Sequence, residues 1–294
     1  MEERSDFQGV PHMSEARLLL KKFHATKTLS PVAIRLTQLI SNEKSTIQEF
    51  EKVIKMDPTL VMRLLKLVNS PFFGLRQEVD SISRAVVVVG TKNLRNMVVT
   101  TALKNVFTQT SAEDVFSKVR LWLHSAAVGI CSQMISERIF GQKGEDTFLC
   151  SILHDVGMIV QDQVIRDRFV HTCSTYDPDA GPFTEYERAM MGTDHCEIGG
   201  LLVQDWNLPI DVVDGVRYHH DMKKDVTPSS VLGIIQVAHY LVAKLDYTPI
   251  PGMKAEFPGG LIAYFRKNIK EYKLLAGDLP DELENARDLY ETDG

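Results

Sequence analysis

The residues best suited to chemistry in this 294-residue chain are its histidines. The sequence contains nine, and seven of them fall between His124 and His239. His171 is expected on the surface, whereas the other six stand in or beside apolar segments with helical spacing. Neutral imidazole is the commonest protein ligand for transition metals, and packed helices can gather such side chains around one ion. The six are His124, His154, His195, His219, His220 and His239.

A carboxylate directly follows one of these histidines, in the segment Leu153-His154-Asp155-Val156-Gly157. Successive helix residues diverge by about 100°. The pair is therefore expected to hold a metal ion over a helix edge, or the carboxylate is expected to bridge two ions. The alternative is a hydrogen-bonded polar pair that fixes a helix crossing. His219 and His220 diverge in the same way, so one is expected to be a ligand and the other a supporting or surface group.

The spacing of these residues excludes a zinc finger. His124 lies 30 residues before His154, and His195 lies 40 residues after Asp155. Ligands so far apart can form a site only where tertiary packing assembles them.

Helices predicted from apolar periodicity and capping residues must position the histidines. Ser30–Pro31 predicts the start of the first helix. Later helices are predicted over 116–140, 145–160, 184–191, 194–206 and 209–220. Capping pairs are predicted at three helix starts: Ser45 with Gln48, Thr184 with Glu187, and Asp194 with Glu197.

The run of four valines at residues 86–89 is the one place where residue types favour a strand. Ser81 before it is a plausible N-cap, and Gly90 after it is a typical helix stop. Ile82 and Val86 stand at helical spacing. The sequence therefore predicts a buried helix here.

Composition narrows the function classes. A formal charge of −6 and a pI near 5.9 argue against a broad nucleic-acid-binding surface. The four cysteines occur singly, with no C-x-x-C pair, and are expected to be reduced core thiols. A P-loop, a dinucleotide-type glycine fingerprint and a GxSxG elbow are all missing, which argues against the corresponding nucleotide-binding and serine-hydrolase classes.

The longest apolar stretches are far shorter than the roughly 20 residues that a membrane helix needs. The first residues, MEERSDFQGV, lack the basic-then-apolar order of a signal peptide. We therefore expect a cytoplasmic protein without a membrane segment.

Between Leu29 and His220 the chain resembles the HDOD domains, a branch of the HD phosphohydrolase superfamily. The matching motifs of the first half are Leu29-Ser30-Pro31, Ile54-x-x-Asp57-Pro58, Leu64-Leu65-Lys66-Leu67-Val68-Asn69-Ser70, Ser81-Ile82-Ser83-Arg84-Ala85 and Val89-Gly90. Those of the second half are Trp122-x-His124-Ser125, Ile152-Leu153-His154-Asp155-Val156-Gly157, Asp194-His195-x-Glu197-Ile198-Gly199, Trp206-x-Leu208-Pro209 and Tyr218-His219-His220. Each motif is weak alone, but their combination is specific.

The resemblance implies an all-α fold, a compact multi-helix bundle with an N-terminal helical half and a C-terminal HD-like half. It implies an N-terminal extension over 1–26 and an HDOD domain over 27–222, divided into halves 27–110 and 111–222. Residues 223–294 would form a helical extension that completes the HD-like half.

The resemblance also implies the ligand set. In the metal-dependent relatives the order is His, His-Asp, further histidines and a late Asp. The first His corresponds to His124, the doublet to His154–Asp155, and the added histidines of dinuclear HD-GYP relatives to His195, His219 and His220.

Two positions depart from that pattern. His239 stands where the late Asp should fall, and this exchange removes a negative charge while leaving a nitrogen donor. Arg120 lies four residues before His124, where dinuclear relatives tend to carry a carboxylate. An arginine there would repel a second cation or contact a phosphate.

Three functions therefore remain open. The first is a bacterial signal-transduction or regulatory protein with a His/Asp metal pocket, which acts through other signalling proteins and is not an efficient hydrolase. The second is a metal-dependent phosphohydrolase or phosphodiesterase that acts on a nucleotide or cyclic dinucleotide. The third is a protein-interaction module without metal. Mixed imidazole and carboxylate ligands suit one or two ions of Fe, Mn, Zn or Ni, and no catalytic residue is assigned.

Overall fold

The computed structural model describes residues 14–25, 32, 35–36, 39, 44–69, 77, 79–97 and 115–285. The predicted helix start at Ser30–Pro31 lies outside the described residues. Within the described part, every regular element is helical and none is a strand, which confirms the all-α prediction. The α-helices are α1 (Glu15–Ala25), α2 (Ile47–Ile54), α3 (Pro58–Val68), α4 (Ile82–Val89), α5 (Lys118–Met134), α6 (Glu145–Leu153), α7 (Val156–Val164), α8 (Arg166–Thr175), α9 (Phe183–Met191), α10 (His195–Asp205), α11 (Ile210–Tyr218), α12 (Val231–Lys244), α13 (Ile262–Lys267) and α14 (Ile269–Asn285).

The capping box of α2 lies one residue later than predicted. Thr46 is the N-cap, and its hydroxyl accepts a hydrogen bond from the backbone N–H of Glu49 at 3.4 Å. The Glu49 carboxylate in turn accepts from the backbone N–H of Thr46 at 2.8 Å. The prediction of Ser45 with Gln48 is therefore wrong. A carboxylate at the first turn interacts favourably with the positive end of the helix dipole, which the amide of Gln48 does not do.

The valine run is helical, as predicted. Ser81 is the N-cap of α4 and accepts from the backbone N–H of Arg84 at 3.3 Å, and Gly90 ends the helix with φ of 80°. Val86 and Val89 are buried, whereas Val87 is 63% exposed. Burial of one helix face against α2 and α3 thus outweighs the weak strand preference of valine.

The larger apolar core lies in the histidine-bearing half and includes both ends of the described chain. Leu19, Leu20 and Phe23 of α1 belong to it, and so do Tyr272 and Leu275 of α14. Helix α1 packs against α7 and α10, and α14 packs against α5. The predicted boundaries stay a prediction, but the N-terminal helix is part of this core. The four cysteines are buried and free.

Polar contacts join the first half to the start of α6. Residues 91–97 are helical, and from them Lys92 and Arg95 form ion pairs with Asp146 at 2.7 and 2.5 Å. The Asn96 side-chain amide donates to the backbone carbonyl of Glu145 at 2.7 Å. These contacts also hold the N-terminus of the helix that leads to the His-Asp doublet.

The helix predicted over 145–160 is broken at the doublet. Helix α6 ends at Leu153, and α7 begins at Val156, with Asp155 at φ −99° and ψ 12° between them. The predicted divergence of about 100° within one continuous helix is therefore wrong. Asp155 has non-helical backbone angles, and its Oδ2 lies 3.2 Å from Nε2 of His154, so both side chains reach the same centre.

Two other predicted boundaries change. The helix predicted over 116–140 consists of α5 and a π-helical turn, Ile135–Ile139. Helix α9 begins after Pro182, without a side-chain cap, so the predicted Thr184–Glu187 cap is wrong. The predicted Asp194 cap is correct, because its carboxylate accepts from the backbone N–H of Glu197 at 2.8 Å.

In the part of the chain that the structure covers, no single helix combines the length and the apolar character that crossing a membrane would require. One pair, Glu145–Val164 with Arg166–Thr175, meets these criteria only when taken together, across a bend of 120°.

Candidate metal centre

The structure brings all seven predicted ligands into one cluster. They come from five places in the fold: α5, the α6–α7 break, the start of α10, the end of α11 and the middle of α12. Ring centroids of neighbouring histidines lie 4.3 to 6.0 Å apart. Six of the seven residues are buried and His220 is partly buried. The members are His124, His154, Asp155, His195, His219, His220 and His239.

Four of the imidazoles are oriented by hydrogen bonds from Nδ1. Carbonyl and carboxylate oxygens can only accept, so each of these Nδ1 atoms is the donor and carries the hydrogen. In the neutral ring, the lone pair is then on Nε2. The four acceptors are the backbone carbonyls of Tyr247 for His124 (2.7 Å), Ser151 for His154 (2.6 Å) and Val216 for His219 (2.8 Å), and the carboxylate of Glu187 for His195 (2.5 Å).

The Nε2 atoms point at the Asp155 carboxylate from two sides. Oδ2 lies 3.5 Å from Nε2 of His124 and 3.2 Å from Nε2 of His154. Oδ1 lies 3.3 Å from Nε2 of His195 and 3.4 Å from Nε2 of His219. His239 joins the first pair and His220 joins the second. We call His124, His154 and His239 the Oδ2 group, and His195, His219 and His220 the Oδ1 group.

This arrangement requires positive charge at its centre. Nε2 of His124 and Nε2 of His154 lie only 3.1 Å apart, although each is an acceptor in the neutral ring. Asp155 Oδ1, His195 Nε2 and His220 Nε2 are buried and have no hydrogen-bond partner among the described residues. Buried acceptors that face one another are unfavourable unless a proton or a metal ion lies between them.

The distances fit metal coordination. Two donors bound to one ion at about 2.1 Å are separated by about 3.0 Å in octahedral geometry and about 3.4 Å in tetrahedral geometry. The contacts between Asp155 and the four Nε2 atoms span 3.2 to 3.5 Å. The two groups could therefore hold a metal ion, and a carboxylate between them could bridge two ions.

The protonation states of the histidines differ across the cluster. Burial lowers the pKa of His219, but contacts with Cys196 and Asp155 outweigh burial and raise this pKa to about 10. Burial lowers the pKa of His124 to about 4, and it lowers the pKa values of His220 and His239 well below the usual range. These three imidazoles are neutral at pH 7, which is the form that binds metal. Burial opposes ionisation of Asp155, but contacts with His154, His219 and His195 lower its pKa well below the usual range. It is therefore a carboxylate.

Glu187 also belongs to the site, although its sequence pattern predicts half of a helix cap. It is buried, accepts from His195 Nδ1 and also accepts from the side-chain amide of Gln161 at 2.9 Å. Burial lowers the pKa of His195, but contacts with Cys196 and Glu187 outweigh burial and raise this pKa well above its usual value. Glu187 and His195 lie on two different helices, α9 and α10, so their separation of eight residues does not indicate that they are in contact. The sequence therefore carries no signal for this hydrogen bond.

Two further predicted residues lie elsewhere. His171 is on the surface, as expected. Arg120 lies one turn before His124 on α5 and is partly exposed, and its backbone N–H donates to Ser117 Oγ at 3.4 Å. Its guanidinium forms no ion pair with the described residues, so the phosphate contact stays a prediction.

The all-helical fold and the buried His/Asp cluster define a protein of the HD type. The HDOD domain model matches residues 27–222, which is more than half of the chain, and the chain belongs to the HDOD family.

Two solved structures share the fold, and one further protein is similar in sequence. An HDOD domain protein of unknown function from Geobacter sulfurreducens aligns with a TM-score of 0.64 and 21% identity, covering 90% of this chain and 97% of the other. A candidate phosphohydrolase from Shewanella amazonensis SB2B aligns with a TM-score of 0.62 and 26% identity, covering 90% and 98%. An uncharacterized protein of Treponema pallidum (strain Nichols) is 25% identical over 234 residues, which are 79% of this chain but only 44% of that protein.

Proposed function

We propose that this chain is a regulatory HDOD protein whose His/Asp cluster binds one or two divalent transition-metal ions and which does not hydrolyse phosphate esters efficiently. The observation that carries the proposal is the convergence of four Nε2 atoms on the two oxygens of one buried carboxylate. Such a set of acceptors is stabilised by bound cations, and ion binding would in turn stabilise the packing of α5, α6, α10 and α11.

The burial of the cluster residues supports a regulatory role rather than hydrolysis of a substrate. His154, His195 and His219 have no exposed surface, and Asp155 is only 2% exposed. A substrate phosphate must displace water or a ligand at the ion to be activated, and the burial of these four residues would limit its access. We infer that metal occupancy changes the stability or shape of the HD-like half, and that partner proteins respond to this change.

The chain's own residues have defined roles in this proposal. Asp155 would bridge the two groups, and the imidazoles would hold the ions through Nε2. Tyr247, Ser151 and Val216 orient three rings through their backbone carbonyls, which prevents the rings from turning away. A bound ion would supply positive charge and Lewis acidity.

Metal content and turnover test the proposal together. After loading with Fe, Mn, Zn or Ni and removal of free ions, we expect one to two equivalents per chain by elemental analysis. His171→Ala should keep this content, because His171 is on the surface, whereas His154→Ala should reduce it. Metal-loaded protein should show no hydrolysis of cyclic di-GMP, cyclic di-AMP or bis(p-nitrophenyl) phosphate. Protein without metal and without a thermal shift on chelation would instead support an interaction module.

A metal-dependent phosphohydrolase is the second candidate, and a cavity favours it. The cavity has a volume of about 510 Å³ and is lined by His220 of the Oδ1 group, by Phe183 and Met222, and by the rim lysines Lys244 and Lys254. This volume lies in the range of small-molecule sites. Asp179 and Glu256 also line the cavity, and Lys254 is ion-paired with Asp179, so the two lysines leave no net positive charge there. The name of the Shewanella relative is consistent with this candidate. Metal-dependent hydrolysis that His154→Ala abolishes would establish it and overturn the regulatory proposal.

A further inference from the structure

The Oδ1 group and the Oδ2 group differ in the charge of the residues that surround them. Three of the four ring-orienting acceptors are neutral backbone carbonyls, whereas the fourth, at His195, is the carboxylate of Glu187. This carboxylate therefore acts on the Oδ1 group alone. Its oxygen accepts from His195 Nδ1 at 2.5 Å, which is a short, charge-assisted hydrogen bond.

Glu187 is itself a buried charge that needs compensation. The residue is fully buried on α9, and within the described part of the chain no lysine or arginine forms an ion pair with it. Gln161 donates to one oxygen at 2.9 Å, and His195 donates to the other. Among the described residues, His195 is the one side chain that can bring positive charge to this carboxylate, from a proton or an ion at Nε2.

A carboxylate behind a ligating imidazole increases the basicity of the metal-binding nitrogen and places a negative charge near the ion. Within the described part of the chain, no carboxylate other than that of Asp155 contacts the Oδ2 group. His124 and His154 donate to carbonyls, and His239 is an imidazole at the position where the metal-dependent relatives are expected to have a carboxylate. An ion in the Oδ1 group therefore meets one more negative charge than an ion in the Oδ2 group.

We propose that Glu187 makes the Oδ1 group the high-affinity metal position, so that the chain holds one ion there tightly and exchanges a second ion at the Oδ2 group. This inference rests on the proposed function, namely that the cluster binds metal. The protein then has a stable one-ion form and a two-ion form that depends on the free metal concentration. Occupancy of the Oδ2 group therefore responds to the free metal concentration.

The size of the difference follows from the effect of such outer carboxylates, whose loss typically weakens metal binding about 10- to 100-fold. We therefore expect the two dissociation constants for Zn²⁺ to differ by at least about tenfold. Glu187→Gln removes the charge but keeps the shape. The Gln161 side-chain oxygen has no partner in the structure, so a flipped Gln161 amide could accept from the new amide group.

The experiment is a Zn²⁺ titration of the metal-free full-length chain in competition with a chromophoric chelator. Wild type should bind in two steps, and Glu187→Gln should weaken the tighter step about 10- to 100-fold while the weaker step stays nearly unchanged. Glu197→Gln is the matched control. It removes a carboxylate two residues from His195 that accepts from Thr193 Oγ1 at 2.8 Å instead of from the cluster. Both steps should survive this change.

A second pair of variants keeps the test decisive if Glu187→Gln does not fold. His239→Ala should abolish the weaker step, and His220→Ala should weaken the tighter one. Two equal steps in wild type, equal weakening of both steps by Glu187→Gln, or loss of the tighter step in His239→Ala would overturn this inference while leaving metal binding intact. Absence of any Zn²⁺ binding would overturn the proposed function itself.

Discussion

Replacement of Gly157 by alanine should damage both the fold and the cluster. Gly157 is the second residue of α7, and it packs against the first residue of α10, His195. A Cβ atom at Gly157 would lie 2.8 Å from the Cα and 2.7 Å from the carbonyl carbon of His195, and closer still to its carbonyl oxygen. All three obstacles are backbone atoms, so no side-chain rotation can relieve the clash.

The required movement can be derived from these distances. An ordinary contact of a Cβ atom begins at 3.4 Å, so the carbonyl carbon alone requires the start of α10 to retreat by 3.4 minus 2.7, or about 0.7 Å, and the closer carbonyl oxygen requires more. Binding constellations tolerate displacements of only about 0.5 Å. Overpacking against rigid atoms costs about 3 kcal/mol, at the upper end of its usual range. Alanine in a helix recovers about 1 kcal/mol relative to glycine. The expected net loss is therefore about 2 kcal/mol.

Urea unfolding of the metal-free protein measures this loss, and Zn²⁺ competition measures the effect on the cluster, expected to be about tenfold or more. Gly277→Ala is the matched control, because Gly277 lies in α14 and a Cβ atom there would meet nothing within 4 Å. It should leave metal affinity unchanged and stabilise the chain slightly. Unchanged stability and unchanged affinity in Gly157→Ala would refute the close packing of α7 on His195.

Three further predictions test other parts of the fold. Removal of bound metal by a chelator should destabilise the chain, by about 2.7 kcal/mol if the free ion had been present at 100 times its dissociation constant, and differential scanning calorimetry would detect the shift. Asp146→Asn should cost about 1 kcal/mol at pH 7, because burial disfavours this carboxylate but Lys92 and Arg95 lower its pKa below 3.8. The folded-state pKa is depressed, so the difference from wild type should persist above pH 3.8 and vanish as the pH falls through the lower folded-state value. Thr46→Ala should cost about 1 kcal/mol and Ser45→Ala almost nothing, in parallel urea titrations, since only Thr46 caps α2. Equal losses in this last pair would contradict the observed cap.

Local patterns predicted the all-α fold and most of the helices. The valine run is an instructive case, since Ser81 and Gly90 predicted the helix correctly despite its strand-forming residues, and burial against α2 and α3 stabilises it. The patterns failed where contacts distant in sequence decide the structure. No periodicity within the segment indicates the break at His154–Asp155 or the close approach of α7 to α10 at Gly157. The role of Glu187 was missed for the same reason.

Of the four imidazoles oriented through Nδ1, two are oriented by contacts within their own segment and two by contacts distant in sequence. His154 and His219 are the C-cap residues of their helices, and each donates through Nδ1 to the carbonyl three residues earlier. A histidine at a helix end satisfies an otherwise unpaired carbonyl in this way, so its orientation is set within its own segment.

His124 and His195 are oriented instead by partners from other elements, at Tyr247 and Glu187. Each group around Asp155 therefore contains one histidine that its own helix orients and one that only the folded tertiary structure orients. Neither half of the cluster can be complete in the unfolded chain. Metal affinity and folding must consequently be coupled at both positions, which is why loss of one distant contact, such as that of Glu187, is expected to alter one position and spare the other.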